Sequence, residues 1–282
     1  MINLSAWQEY VERRCGFVLP PSQQSWLEYT IESVAKSLET DVNYLYIQVC
    51  RDKEIEQLLF DRLLISETRF FRHQESVDFV LKKYDEHRLN QKRTPILRDF
   101  RVWSAGCSAG QEVYSVAMGM QMISDSVSEP ASYIVSGSDL SQKSLKSAQT
   151  AQYLDKDIKG VPMRYRHYLQ QVKVDNPEQE FVLGQPKVWQ VSQKITKQCH
   201  FFWQNLFLKP PLDLPLQNII LCQNVLIYFR KFDQRDILNY FVQHLDVGGY
   251  LVLAPSEVMF WQHPKMKRVD NIFVNAWQKI EH

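Results

Sequence analysis

The stretch SAGCSAGQEVYS (residues 104–115) follows an apolar run containing Phe100, Val102 and Trp103, and it leads into a helical pattern that opens on a carboxylate, Glu112. Gly106 and Gly110 carry no Cβ, so the backbone there can turn sharply and approach a ligand closely. Their G-x-x-x-G spacing fits neither the dinucleotide fingerprint G-x-G-x-x-G nor a phosphate loop ending in G-K-[ST], and the stretch offers no lysine to hold a triphosphate. A carboxylate at such a corner repels pyrophosphate and suits a ligand that carries an ammonium group. The next apolar run closes on GSDL (137–140), where Asp139 can point two oxygens at the same crevice, an arrangement suited to ribose hydroxyls. Together the pair describes a nucleoside bearing an amino acid, and S-adenosylmethionine is that molecule. Singly, each residue has a plainer reading: Glu112 as a charge favoured by the helix macrodipole, Asp139 as the N-cap of SQKSLKSAQ.

Such a crevice needs a sheet to position it. Short apolar runs at FRVWSAG (100–106), YIVSGSDL (133–140), NIILCQNVLIYF (218–229) and GYLVLAP (249–255) read as strands or strand ends. Helical segments near 111–124, 141–150 and 233–245 alternate with them, and FVNAWQKI (273–280) reads as a last strand. This alternation predicts an α/β fold with a doubly wound sheet, whose ligands sit beyond the carboxyl ends of the strands. The first ninety residues differ. QQSWLEYTIESVAKSL puts Trp26, Leu27, Thr30, Ile31, Val34, Ala35 and Leu38 on one helical stripe, and EIEQLLFDRLLI repeats the pattern. The polar stretch KKYDEHRLNQKRTP (82–95) reads as a linker, which predicts an N-terminal helical domain over 1–90 and a ligand-binding domain over 91–282. Within the second, residues 159–197 carry the β-rich pieces EFVL and KVWQV and read as a small inserted subdomain of the kind that serves recognition.

Composition narrows the functional classes. With 33 Lys plus Arg against 32 Asp plus Glu, the chain has a formal net charge of +1, so no global field draws it to nucleic acid or to an anionic membrane. Its start, MINLSAWQEYVERR, lacks a basic segment followed by an apolar stretch, and no window approaches the ~18–20 apolar residues of a membrane span. A cytoplasmic monomer without membrane insertion is expected. Cys15, Cys50, Cys107, Cys199 and Cys222 form no C-x-x-C pair, which suits reduced thiols and argues against a metal site.

ISETRFFR (65–72), SAGCSAGQEVYSVAM (104–118), GSDLSQKSLKSAQTAQY (137–153), FFWQNLF (201–207), CQNVLIYF (222–229) and PSE (255–257) stand in a particular order. In motif and order, over nearly its whole length, the chain resembles the CheR-type chemoreceptor protein-glutamate methyltransferases. The resemblance implies a Rossmann-like class I methyltransferase sheet with an N-terminal helical domain and an inserted β subdomain. It implies S-adenosylmethionine as cofactor, S-adenosylhomocysteine as product, and methyl-accepting chemoreceptor cytoplasmic helices as partners, in chemotaxis or in pilus-based motility. Cofactor contacts would come from Ser66, Thr68, Arg72, Glu112, Asp139, Asn205, Leu206, Gln223 and Asn224, beside the Gly106 turn. Arg72 would reach from the helical domain into the cleft, and Tyr228 would sit near the transferred methyl.

The chain departs from the family pattern at Ser66, Gln111, Val113, Gln223 and Arg230, where the family usually carries Asn, Glu, Pro, Arg and Asp. Residues 1–60 hold five Lys plus Arg against nine Asp plus Glu, a balance of 5 − 9 = −4. In the family's best-known members, by contrast, a basic helix reads an acidic receptor bundle. Two rival readings stand beside glutamate methylation. One is transfer to another acceptor, disfavoured by the neutral charge and by the absence of an Asn/Asp-Pro-Pro-aromatic signature. The other is a non-catalytic module that senses the cofactor or scaffolds receptors, encouraged by Gln111 and Gln223 and opposed by the retention of Glu112, Asp139, Arg72 and Tyr228.

Overall fold

The computed structural model describes residues 3–64, 67–91, 98–172, 187–209 and 212–281. Four helices open the chain: α1 (Leu4–Cys15), α2 (Gln24–Ser37), α3 (Val42–Arg51) and α4 (Lys53–Leu63). Asp41 and Asp52 cap α3 and α4 by accepting from backbone N–H groups two and three residues on, which lets Asp52 alone join the two helices. Their apolar stripes close on a core that includes Val11, Leu27, Ile31, Leu45, Leu59 and Leu63. A carboxylate is buried within this lobe. Glu56 accepts the Tyr10 hydroxyl at 2.7 Å and both Nε and NH2 of Arg14, clamping α1 to α4. Burial alone would raise the Glu56 carboxyl, but the bonds from Arg14 and Tyr10 outweigh it and hold it below its ordinary value.

A long helix, α5 (Gln74–Gln91), follows. Residues 82–91, expected as linker, therefore continue a helix, and Val77, Phe79, Val80 and Tyr84 belong to the core under the sheet. The polar surface of that stretch is its solvated side. Gly119 lets α5 approach closely, since a Cβ there would lie 2.6 Å from Leu81.

The sheet unit runs β1 (Phe100–Ala105), α6 (Gln111–Ser126), β2 (Tyr133–Asp139), α7 (Gln142–Thr150), β3 (Gln152–Leu154), β4 (Leu169–Val172), β5 (Val188–Val191) and α8 (Gln193–Thr196). It continues through β6 (Cys199–Trp203), β7 (Gln217–Cys222), α9 (Lys231–His244), β8 (Leu245–Leu253), β9 (Met266–Arg268) and β10 (Asn275–Lys279). Seven strands form one sheet in the order β6-β2-β1-β7-β8-β10-β9, parallel except where β10 runs antiparallel to β8 and β9. Successive side chains alternate between two cores: Val102, Ile219, Leu221 and Val252 face α5 and α6, while Trp103, Ile220, Leu251 and Leu253 face α9. The order reverses at β1, the switch point of a doubly wound sheet.

The strand within NIILCQNVLIYF ends at Cys222, and Leu226–Tyr228 form a single 3-10 turn. β3, β5 and β4 make a separate antiparallel sheet. KVWQV lies in β5, whereas EFVL lies outside the described residues. Among the described residues no helix is long and apolar enough to cross a membrane.

Replacing Glu56 by Ala leaves Tyr10 and Arg14 without their shared acceptor. The fold should lose about 2–3 kcal/mol, read from the urea midpoint at pH 7 with an unchanged m-value. Because Glu56 is held low, its stabilising share is present at neutral pH and is lost as pH falls through its depressed pKa. The difference between wild type and Glu56→Ala should therefore narrow in acid.

Candidate active site

Beyond the carboxyl ends of β1, β2 and β7 lies a cavity of about 290 Å³. Its floor is the sheet and its wall is the helical lobe, which contributes Cys15, Phe17, Leu64 and the loop and turn from Glu67 to His73. At Gly106 (φ +80°) β1 turns out of the sheet, and a Cβ there would lie 2.3 Å from Val225. The turn is tied down by Gly106 and Cys107, whose N–H groups donate to the Ser138 carbonyl at 2.8 and 2.9 Å. Gly110 (φ +87°) then starts α6 with no side-chain cap.

The cavity is bordered by carboxylates drawn out of bulk water. Glu112 accepts from the Ser104 hydroxyl at 2.7 Å, and burial pushes it up to about 7, with Ser104 and the field of Arg72 pulling down and Glu257 pushing up. Asp139 accepts from the N–H groups of Ser108 and Ser141, each at 2.8 Å. Burial still raises it. Asp139 is not the N-cap of α7, since Ser141 holds that place, with its hydroxyl accepting from Ser144 N–H. Glu257 stands just behind the cavity, 6 % exposed, accepting from the N–H groups of Asn224 at 3.2 Å and Ala254 at 3.0 Å. Burial raises it as well, and its Oε1 has no hydrogen-bond partner. Three acids drawn out of bulk water, Glu257 buried and Glu112 and Asp139 half-buried, with so little compensating positive charge call for a cationic ligand.

Arg72 lines the cavity, half-buried, with one guanidinium nitrogen donating to the Glu67 carbonyl at 2.9 Å. The two residues before it are core: Phe70 packs edge-on against Tyr153 and Phe71 stacks on Tyr165. Tyr228 lies across the cavity, stacked on Phe17 with centroids 4.4 Å apart, and its carbonyl accepts from Val18 N–H at 2.9 Å. Burial raises its phenol, which is a proton donor at neutral pH. Thr68, Asn205, Leu206, Gln223 and Asn224 also line the cavity, and Ser66 lies outside the described residues.

Two of these side chains are already occupied. Asn205 donates to the Arg14 carbonyl at 2.8 Å and accepts from Phe207 N–H at 3.0 Å, so it fastens the end of α1 to the loop after β6. Gln223 donates to Ser76 at 2.8 Å, tying β7 to α5. Three residues were not anticipated as site members. His73 Nε2 meets Asn224 Oδ1 at 2.7 Å, the hydroxyl of Ser108 is buried beside the cavity without a partner, and Glu257 braces the Asn224 loop. Ser108 and Glu257 stood within the quoted SAGCSAGQEVYSVAM and PSE motifs; nothing in the spacing marks His73. Of eight non-glycine residues with positive φ among those described, Phe71, Ser108, Asn224, Ser256 and Val258 all fall in the segments around this site. Strain of that kind persists where the surroundings over-determine the backbone.

The fit to S-adenosylmethionine is chemical. Glu112 has an uncommitted oxygen for an ammonium, Asp139 keeps a lone pair on each oxygen for ribose hydroxyls, and the site's acidity matches a sulfonium-bearing ligand. The sheet order and this donor set define a class I S-adenosylmethionine-dependent methyltransferase. Residues 66–273 match the family model described as "CheR methyltransferase, SAM binding domain". The chain therefore belongs to the CheR methyltransferase family. It is 28% identical over 268 residues to a chemotaxis protein methyltransferase of Borreliella burgdorferi, covering 91% of this chain and 88% of that one. Chemotaxis protein methyltransferase 1 of Pseudomonas aeruginosa is 28% identical over 272 residues, covering 91% and 90%. Magnesium protoporphyrin IX methyltransferase from Synechocystis PCC 6803, solved with bound SAM, aligns at a TM-score of 0.35 and 14% identity over 89% of this chain and 97% of that one.

The position of Glu112 predicts a pH signature. In the free protein it keeps its proton up to about pH 7 rather than its ordinary 4.5, so that share of stability is complete below 4.5 and gone above about 7. A bound ammonium favours the carboxylate, so binding below pH 7 must expel a proton. Affinity for S-adenosylhomocysteine, measured by calorimetry, should fall by up to about tenfold per pH unit below 7 and level off above it. Glu112→Gln should bind more weakly with this dependence removed.

Proposed function

We propose that the chain methylates glutamate side chains on the cytoplasmic helices of chemoreceptors, forming γ-glutamyl methyl esters in sensory adaptation. The observation that carries the reading is the pairing of Arg72 and Tyr228, a guanidinium and a protonated phenol, around a cavity whose other border is acidic. Two donors of that kind suit a carboxylate acceptor and are a poor match for an amine. The bound cofactor supplies an electrophilic methyl carbon on its sulfonium.

The protein's own residues then bind and align. Glu112 and Asp139 take the amino acid and ribose ends, with Thr68, Leu206 and Asn224 completing the lining, and Ser66 contributing as the family resemblance implies. A glutamate with a pKa near ~4.3 is ionised at neutral pH, so its oxygen attacks without a general base. Catalysis rests on geometry: Arg72 and Tyr228 hold the carboxylate by charge-assisted and hydroxyl hydrogen bonds while Phe17 and the lobe exclude water. Phe17 fixes the plane of the Tyr228 ring, and His73 fixes Asn224. With His73 donating to Oδ1, the Asn224 amide nitrogen is the group left to donate into the cavity. Asn205 acts from behind, by holding α1 against the pocket. Loss of one negative charge from a packed helical surface shifts the receptor between signalling states.

Tritium transfer from labelled cofactor to receptor-bearing membranes, followed by release of volatile methanol in base, tests the product. Base-stable label would overturn the ester. Arg72→Ala should slow transfer by about 100-fold or more, and Tyr228→Phe by roughly tenfold, the worth of one hydrogen bond to a charged group.

A further inference from the structure

Among the exposed apolar side chains of the sheet unit, four stand at one end of it. Phe260 is 97 %, Ile272 90 %, Phe273 70 % and Ile227 58 % exposed. They lie on three loops, one after β7, one after β8 and one before β10. Because β10 runs antiparallel to β8, with Asn275 opposite Leu253, the third loop shares the sheet end that carries the active site. Buried hydrogen bonds hold the loops together. Asn275 donates to the carbonyls of Ala254 and Glu257 at 3.0 and 2.7 Å, and Glu257 accepts from Asn224. Ile227 itself lines the cavity, so this apolar rim is continuous with the site. Exposed apolar surface fixed by such a frame marks an interaction face.

Charge selects its occupant. Residues 227–236 hold Arg230, Lys231 and Arg235 against Asp233 and Asp236, the last paired with Arg235, and residues 259–273 hold Lys265, Lys267 and Arg268 against Asp270. Arg230 pairs with Glu12 of the helical lobe, while Lys231, Lys267 and Arg268 are exposed beside the apolar loops. The lobe offers a second apolar face, with Tyr29 and Tyr44 exposed, but on α2 it is interleaved with exposed Glu28 and Glu32 in a segment of net charge −4. A helix carrying methyl-accepting glutamates is itself acidic and amphipathic; it is repelled by the second face and attracted to the first.

We propose that the acceptor helix docks on the rim formed by the loops at 227–232, 259–268 and 272–273, and not on α2. Its apolar side meets Phe260, Ile272 and Phe273, and its acidic side meets Lys231 and Arg268. This proposal rests on the glutamate reading of the preceding section.

The test is steady-state methylation of a purified chemoreceptor cytoplasmic fragment, with S-adenosylhomocysteine affinity measured in parallel. If the wild-type chain transfers no methyl to such fragments, the glutamate reading itself falls. Given transfer by wild type, the triple variant Phe260→Ser, Ile272→Ser, Phe273→Ser should raise KM for the fragment by about tenfold or more, with kcat and S-adenosylhomocysteine affinity within about twofold. Phe260→Ser alone, at a side chain outside the packed core, should raise KM by about threefold. Lys231→Glu with Arg268→Glu should raise KM and flatten its dependence on salt. Tyr29→Ser with Tyr44→Ser should leave KM unchanged. A triple variant with wild-type KM, or a tenfold rise in the Tyr29, Tyr44 variant, overturns docking on the rim while leaving the reaction assignment intact.

Discussion

Buried negative charge is the constraint around which this molecule is arranged. Glu112, Asp139 and Glu257 stand just beyond or at the ends of three parallel strands, and burial raises all three. Each needs a proton, a donor or a cation, and the chain treats them differently. Asp139 and Glu257 are met by backbone N–H groups, which is why the loops that supply them adopt costly conformations at Ser108 and Asn224. Glu112 receives one hydroxyl and the field of Arg72, so its carboxylate is the least compensated of the three. A ligand bearing positive charge therefore completes this fold electrostatically as well as chemically.

The helical lobe has to be held firmly for this to work, because it carries the guanidinium and part of the wall. It is fastened at several points. Gln57 donates to the Leu140 carbonyl at 2.9 Å, Asn205 to the Arg14 carbonyl, and Val18 to the Tyr228 carbonyl. Gly16, the left-handed cap that ends α1, passes so close to Phe207 that a Cβ would lie 2.4 Å from its ring. That close approach delivers Phe17 onto Tyr228. The Tyr10, Glu56 and Arg14 clamp within the lobe thus bears indirectly on the cavity, since Arg14 is both a member of the clamp and the residue whose carbonyl Asn205 binds.

Much of this was legible in the sequence. Short apolar runs alternating with helical segments marked β1, β2, β7 and β8, and the glycine corner with its carboxylate lies beside the cavity. The errors have physical causes. Residues 82–91 are polar on their exposed side and contribute Tyr84 to the sheet's core, so their helix looked like linker when read for polarity alone. The apolar texture of NVLIYF belongs to a turn packed from both sides, with Leu226 fully buried and Ile227 exposed, which no periodicity separates from a strand. Asn205 has the residue type of a ligand contact and spends both ends of its amide on backbone, a pairing with a residue 191 positions away that local reading does not reach. His73 entered the site for the same reason, through a partner 151 positions distant.

Gln223 links these observations. Where the resembling family carries an arginine, this chain has a neutral amide bound to Ser76 and β8, so the charge balance behind Asn224 is shifted toward the acids. Among the described residues, Arg72 is the guanidinium whose field reaches Glu112, Glu257 and Tyr228 alike. On the proposed reading, one side chain thereby tunes both the group assigned to the cofactor and the group assigned to the acceptor. On that reading a cofactor held at Glu112 brings its own positive charge to that acid and so lowers the repulsion an incoming carboxylate meets there.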